Sequence, residues 1–71
     1  MARIPGKLRE AEEMLKKGIA LDPINVEPYL DLGNIYIKTG LRQKAIAAFS
    51  EVLKRDPNNS VAKAEIQKLQ M

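Results

Sequence analysis

The sequence predicts an all-α chain of four helices arranged as antiparallel helix–turn–helix repeats. Three observations carry this. The chain resembles itself when displaced by 34 positions. Its apolar residues recur at helical spacing. Glycines and Asp-Pro pairs stand where each helix must end. Internal repeats are weighed first, because a missed period misassigns the whole fold. The displacement superposes Gly6 on Gly40, Ala11 on Ala45, Asp22 on Asp56, Pro23 on Pro57 and Asn25 on Asn59, and Leu15 falls on Phe49.

The first helix is expected from Lys7 to Leu21, with Leu8, Ala11, Met14, Leu15 and Ile19 at the i, i+3, i+4, i+7 spacing of an amphipathic helix. Asp22-Pro23 ends it, since a residue before proline leaves the α region and proline cannot continue the hydrogen-bond ladder. Asn25 can cap the second helix, expected from Val26 to Thr39, and Pro28 sits in its first turn, where a missing N–H does no harm. Tyr29, Leu32, Ile35 and Tyr36 lie on one side, and Gly40 is suited to the left-handed residue that closes a helix. The third helix, Arg42 to Lys54, points Ala45, Ala48, Phe49 and Val52 inward and stops at Asp56-Pro57. A fourth follows Asn59 toward Gln70. Its apolar Val61, Ala62, Ile66 and Leu69 are interleaved with Lys63, Glu65, Gln67, Lys68 and Gln70, a wetter pattern than the others.

Composition narrows the function. The chain has 71 residues, one small domain by length. It has no cysteine and no histidine, which removes disulfides, thiolate sites, the commonest metal ligand and the usual proton shuttle near neutral pH. Hydrophobic residues are 45% and charged residues 30%, values of a folded chain and not of a disordered one. The net charge of +3 comes from dispersed Lys and Arg, not from the one-signed stripe with interleaved aromatics expected of a nucleic-acid binder. The longest apolar run, Ala45 to Phe49, is far too short to span a membrane. Residues Met1 to Gly6 hold no apolar signal core, so a cytoplasmic location is the default expectation.

Catalysis finds no purchase in this sequence. Glu12-Glu13, with Glu10 near, reads as a solvated face, because helical neighbours point about 100° apart. Ser50 and Ser60 lack a histidine to activate them. Asp22, Asp31 and Asp56 are too scattered to hold a metal, and no glycine pattern cradles a phosphate. The expectation is therefore no enzyme, no cofactor and no metal site.

Residues 26–59 resemble the tetratricopeptide repeat, the 34-residue helical hairpin. Tyr29, Leu32, Gly33 and Tyr36 stand at the first-helix positions of its pattern; Gly40, Ala45, Phe49, Val52 and Pro57 stand at the turn and second-helix positions. Tyr29 replaces the usual tryptophan and Val52 the usual alanine. Residues 7–22 match the second helix of a preceding, incomplete repeat, with Gly18 where alanine is usual. Residues 60–70 look like the polar closing helix that follows a last repeat, with Lys63, Ile66 and Gln67 at the places of the aromatic, Leu and Gly. One domain over 1–71 is thus expected, a short α-solenoid fragment. In packing terms, Gly33 and Ala45 are small where the helices approach, and Tyr36 and Phe49 fill the volume beside them.

The resemblance implies a protein–protein interaction module, part of a scaffold or adaptor, with a concave groove that receives a peptide or partner helix. Glu27, Leu30, Asn34, Ile37 and Lys38 are its expected groove residues. An amide at Asn34 can donate to and accept from a peptide backbone. Clamp-type members pair such an asparagine with a lysine one turn earlier. Leu30 stands there instead, so no carboxylate clamp is expected. Leu30 and Ile37 on that face would be apolar residues left in water, the mark of an interaction patch. The first helix lacks its own hairpin partner. Leu8, Met14 and Leu15 are thus expected to be partly uncovered and to offer a homodimer contact. The alternatives are a nucleic-acid-binding helical repeat and a minimal structural repeat that self-associates.

Overall fold

The computed structural model describes residues 5–70. It holds four helices: α1 (Gly6–Leu21), α2 (Glu27–Lys38), α3 (Arg42–Arg55) and α4 (Ser60–Gln70). They pack in succession, α1 on α2, α2 on α3 and α3 on α4, so each connection is a tight turn between antiparallel neighbours. The expected boundaries hold to within one residue. α1 begins a residue earlier and α3 runs one residue further, while Val26 and Thr39 flank α2. The expected single domain over 1–71 reaches past the described residues at both ends.

The 34-residue rhythm is visible in the backbone of the turns. After α1, Asp22 takes φ −144° and ψ 80° and donates its N–H to the Gly18 carbonyl; after α3, Asp56 takes φ −137° and ψ 83° and donates to Val52. In both turns the asparagine three residues on donates back, Asn25 to Asp22 at 3.3 Å and Asn59 to Asp56 at 3.0 Å. Each asparagine then caps the next helix. Asn25 Oδ1 accepts from the Glu27 N–H at 3.1 Å, and Asn59 Oδ1 accepts from the Ala62 N–H at 2.9 Å. Val26, between Asn25 and α2, already has helical dihedrals. The capping role read from the sequence therefore belongs to Asn25, as expected.

α2 ends in a Schellman motif. Gly40 has φ 74°, the one positive φ among the described residues. The Leu41 N–H reaches the Tyr36 carbonyl at 2.8 Å and the Gly40 N–H reaches Ile37 at 3.1 Å. Thr39, buried, turns its hydroxyl onto the carbonyls of Ile35 and Tyr36.

The core lies between α2 and α3 and extends to α4: Leu32, Tyr36, Ala45, Ala48, Phe49, Val52 and Ala62 are buried together. Phe49 and Val52 are sealed completely. Full burial of one such side chain stabilises the fold by about 1.5–3 kcal/mol. Gly33 faces the Phe49 ring so closely that a Cβ built there would stand 2.6 and 2.7 Å from its edge carbons. The ring occupies the space a side chain would need, which is why glycine is required in the middle of a helix it otherwise weakens.

Candidate functional site

α2 positions all five expected groove residues, and the structure divides them. Glu27, Asn34 and Lys38 project into solvent; Ile37 is 37% exposed. Leu30 is not left in water. It is half-buried and packs against the core cluster, so only Ile37 fits the expected exposed apolar character. Glu27 and Lys38 also have a plainer role, a carboxylate in the first turn of α2 and an ammonium in its last, each favourable to the helix dipole.

Asn34 and Lys38 join residues from a different predicted set. With Asp31 and Ile35 they line one wall of a cavity of about 450 Å³, whose other wall is Ala11, Met14 and Leu15 of α1. Two of the three expected self-association residues thus share an open hollow with two of the expected groove residues. Met14 is 73% exposed, while Leu8 and Leu15 are half-buried and Leu15 packs against the core. The largest apolar exposures lie at the last residue of α1 and in the α1–α2 turn, with Leu21 at 87% and Ile24 at 80%. Val61, one of the apolar residues of α4, is 56% exposed.

The main correction concerns Glu12. The sequence reads it as part of a solvated acidic face, but it is buried, and the Tyr36 hydroxyl donates to its Oε2 at 2.5 Å. Lys16 Nζ lies 3.6 Å from the same oxygen, one turn along α1. The hydrogen bond from Tyr36 holds the Glu12 carboxyl below its ordinary pKa despite the opposing effect of burial, helped by the charges of Lys16 and Lys44. Burial, then the bond to Glu12 and its negative charge, push the Tyr36 phenol up to about 12. No buried side-chain nitrogen or oxygen among the described residues lacks a hydrogen-bond partner.

Arg55 is the second residue whose role the sequence hid. Its Nε donates to the Pro23 carbonyl at 2.5 Å, Nη1 to the Glu51 carbonyl at 2.9 Å, and Nη2 to the Tyr29 hydroxyl at 3.1 Å. Its guanidinium lies over the Tyr29 ring, 4.5 Å from the centroid. One side chain thereby ties the α1–α2 turn to α3 and locks the ring that opens α2.

The tetratricopeptide repeat model matches residues 2–69. The BBSome complex member BBS4 of Bos taurus is similar at 36% identity over 56 residues, which covers 79% of this chain and 11% of that protein. The chain thus spans about a tenth of that relative's length. No solved structure matches significantly. No described helix is long and apolar enough to cross a membrane. Repeats of this kind are protein–protein interaction modules, and with a match over nearly its whole length the chain belongs to the tetratricopeptide repeat family.

Proposed function

We propose that the chain presents the solvent-facing side of α2 to a peptide or helix of a partner protein, as one segment of a scaffold. In this reading α2 and α3 form the complete repeat of residues 26–59, α1 is the second helix of an incomplete repeat over 7–22, and α4 closes the stack over 60–70. The observation that carries it is the row Glu27, Asn34, Ile37 and Lys38, exposed along one face of α2 while the opposite face is buried. An amide, a partly exposed isoleucine and two opposite charges suit a peptide whose backbone is held at Asn34 and whose apolar side chain covers Ile37 and the rim of Leu30. That BBS4 is named as a member of a complex also supports a protein partner.

The test is a peptide selected from a random displayed library on the folded chain, titrated calorimetrically into wild type and variants. Asn34→Ala and Ile37→Glu should each weaken binding by at least about fivefold, the truncation cost of roughly 1 kcal/mol that marks an energetically important contact. Unchanged affinity in both would place the site elsewhere.

A second reading is favoured by the exposure of Met14. Two copies cover each other's α1 faces through Leu8, Met14 and Leu15, forming a homodimer. Sedimentation velocity over a range of concentrations tests this. Met14→Lys is the cleanest variant, because Leu8 and Leu15 are half-buried and their loss would also disturb the fold. A wild type that stays monomeric at high concentration rules the dimer out.

A further inference from the structure

The face of α2 that carries neither Asn34 nor Ile37 also borders open space. α1 and α3 both pack on α2, and between them lies a cavity of about 300 Å³. Its floor is α2, where Leu32 and Tyr36 are buried and Tyr29 half-buried; its walls bring Lys16 from α1 and Lys44, Ala47 and Glu51 from α3. The hollow is roughly the smallest size that takes a specific ligand, enough for one large side chain and its neighbour.

Its chemistry is graded along its length. At the Tyr36 end stand two ammonium groups. Lys16 is spread toward Glu12, whose Oε2 already accepts the Tyr36 hydroxyl. Lys44 makes no ion pair among the described residues; its Nζ rests 5.8 Å from the Tyr36 centroid. The middle is apolar, with Leu32, Ala47 and Ala48. At the Tyr29 end the one carboxylate, Glu51, is engaged by Lys54 and Arg55 at 3.5 Å each. The acidic groups of the site are therefore paired within the protein, while the cationic end has capacity left over.

We propose that this hollow between α1 and α3 is a second protein-recognition site, which takes an acidic peptide segment carrying one aromatic residue. The aromatic side chain lies over Ala47 and Leu32, and a flanking carboxylate meets Lys44 and Lys16. Lys16 and Lys44 both line the hollow, so a carboxylate there meets two ammonium groups together and gains more than at an isolated surface lysine. The site stands apart from the Asn34 face, and neither depends on the other.

The test is a titration of the capped peptides Ac-Glu-Phe-Glu-NH2 and Ac-Lys-Phe-Lys-NH2 into the ¹⁵N-labelled full chain, followed by amide chemical shifts. The acidic peptide should move the amides of Lys16, Lys44 and Ala47 saturably and bind at least about tenfold more tightly than the basic one. Ala47→Glu, an exposed position that leaves the core untouched, should abolish binding with an unchanged helical circular dichroism spectrum. Lys44→Glu should do the same, and Asn34→Ala should leave binding unaltered. The proposal is overturned by equal binding of the two peptides, by shifts centred on Asn34 and Lys38, by unaltered binding in folded Ala47→Glu, or by no saturable shift.

Discussion

The Tyr36 hydroxyl and the Glu12 carboxylate meet at 2.5 Å, from α2 to α1, where both side chains are buried. This bond is the polar tie across the first helix pair, and neither partner is replaceable alone. Tyr36→Phe removes the donor and leaves a buried carboxylate with Lys16 as its remaining close partner. The cost should be about 1.5–3 kcal/mol, the range for losing a hydrogen bond to a buried charged group. Glu12→Gln keeps an acceptor and should cost less. Glu12→Leu combined with Tyr36→Phe should recover much of the loss, since an apolar pair leaves nothing unsatisfied. Urea denaturation of the three variants measures this. A double variant no more stable than Tyr36→Phe alone would contradict it.

The same pair sets the dependence of stability on pH. Glu12 has a lower pKa folded than unfolded, so its contribution is complete above the ordinary value of 4.5 and fades as pH falls through the lower folded value. Tyr36 works in the opposite direction. Its folded pKa is raised from 10.0 to about 12, so its contribution is complete below the unfolded value and is lost as pH climbs between the two. Glu12→Gln should flatten the acid limb of the stability curve. In a Tyr29→Phe background, the phenolate absorbance of the folded chain should rise with a midpoint of about 12. Substituting Glu12→Gln there should bring that midpoint down.

Arg55 is the next point of weakness. Its three nitrogens reach three different partners, and a lysine can reproduce only one of them. Arg55→Lys should cost about 1–2 kcal/mol, near the net worth of one or two charge-assisted hydrogen bonds. The loss should be local first. Amide exchange at Asn25, whose N–H bridges the turn to Asp22, should accelerate more than exchange at Phe49. Uniform acceleration would mean that Arg55 acts on global stability alone.

The helices and their ends were legible because their signals are local. Asp-Pro, asparagine and Gly40 act on the backbone within a few residues, and apolar spacing fixes each buried face. Gly33 as a point of close approach was legible for a related reason, since a glycine inside an apolar face has few other causes, but that the Phe49 ring itself fills the space was not. Glu12 was not. Its partner is 24 residues away, and Glu10, Glu12 and Glu13 differ little in sequence. The available signal was position: Glu12 lies four residues after Leu8 and three before Leu15, flanking the apolar stripe, whereas Glu13 does not. Arg55 was hidden in the same way, since its reach to Pro23 spans 32 residues. Leu30 and Met14 show the limit of helical spacing. Leu30 was expected in the groove and Met14 on a partly uncovered apolar face, but the half-burial of one and the high exposure of the other depend on which neighbours pack over them.

Glycines give a prediction with opposite signs in one molecule. Gly18 lies inside α1 at φ below zero, and a Cβ there meets nothing within 4 Å. Gly18→Ala should stabilise the chain by about 0.5–1 kcal/mol, through helix propensity and a less flexible unfolded state. Gly40 has φ 74°, so Gly40→Ala should cost about 1–2 kcal/mol for the left-handed backbone. Gly33→Ala should cost most, because its Cβ runs into the sealed Phe49 ring, and overpacking of a full core costs typically 1–3 kcal/mol on top of strain. Pairing Gly33→Ala with Phe49→Leu frees space at the point of collision and should return part of that loss. Thermal unfolding of the four variants gives the order Gly18→Ala above wild type, then Gly40→Ala, with Gly33→Ala lowest and raised by Phe49→Leu. If Phe49→Leu deepens the loss in the Gly33→Ala background, the close approach of ring and backbone is not what requires glycine there.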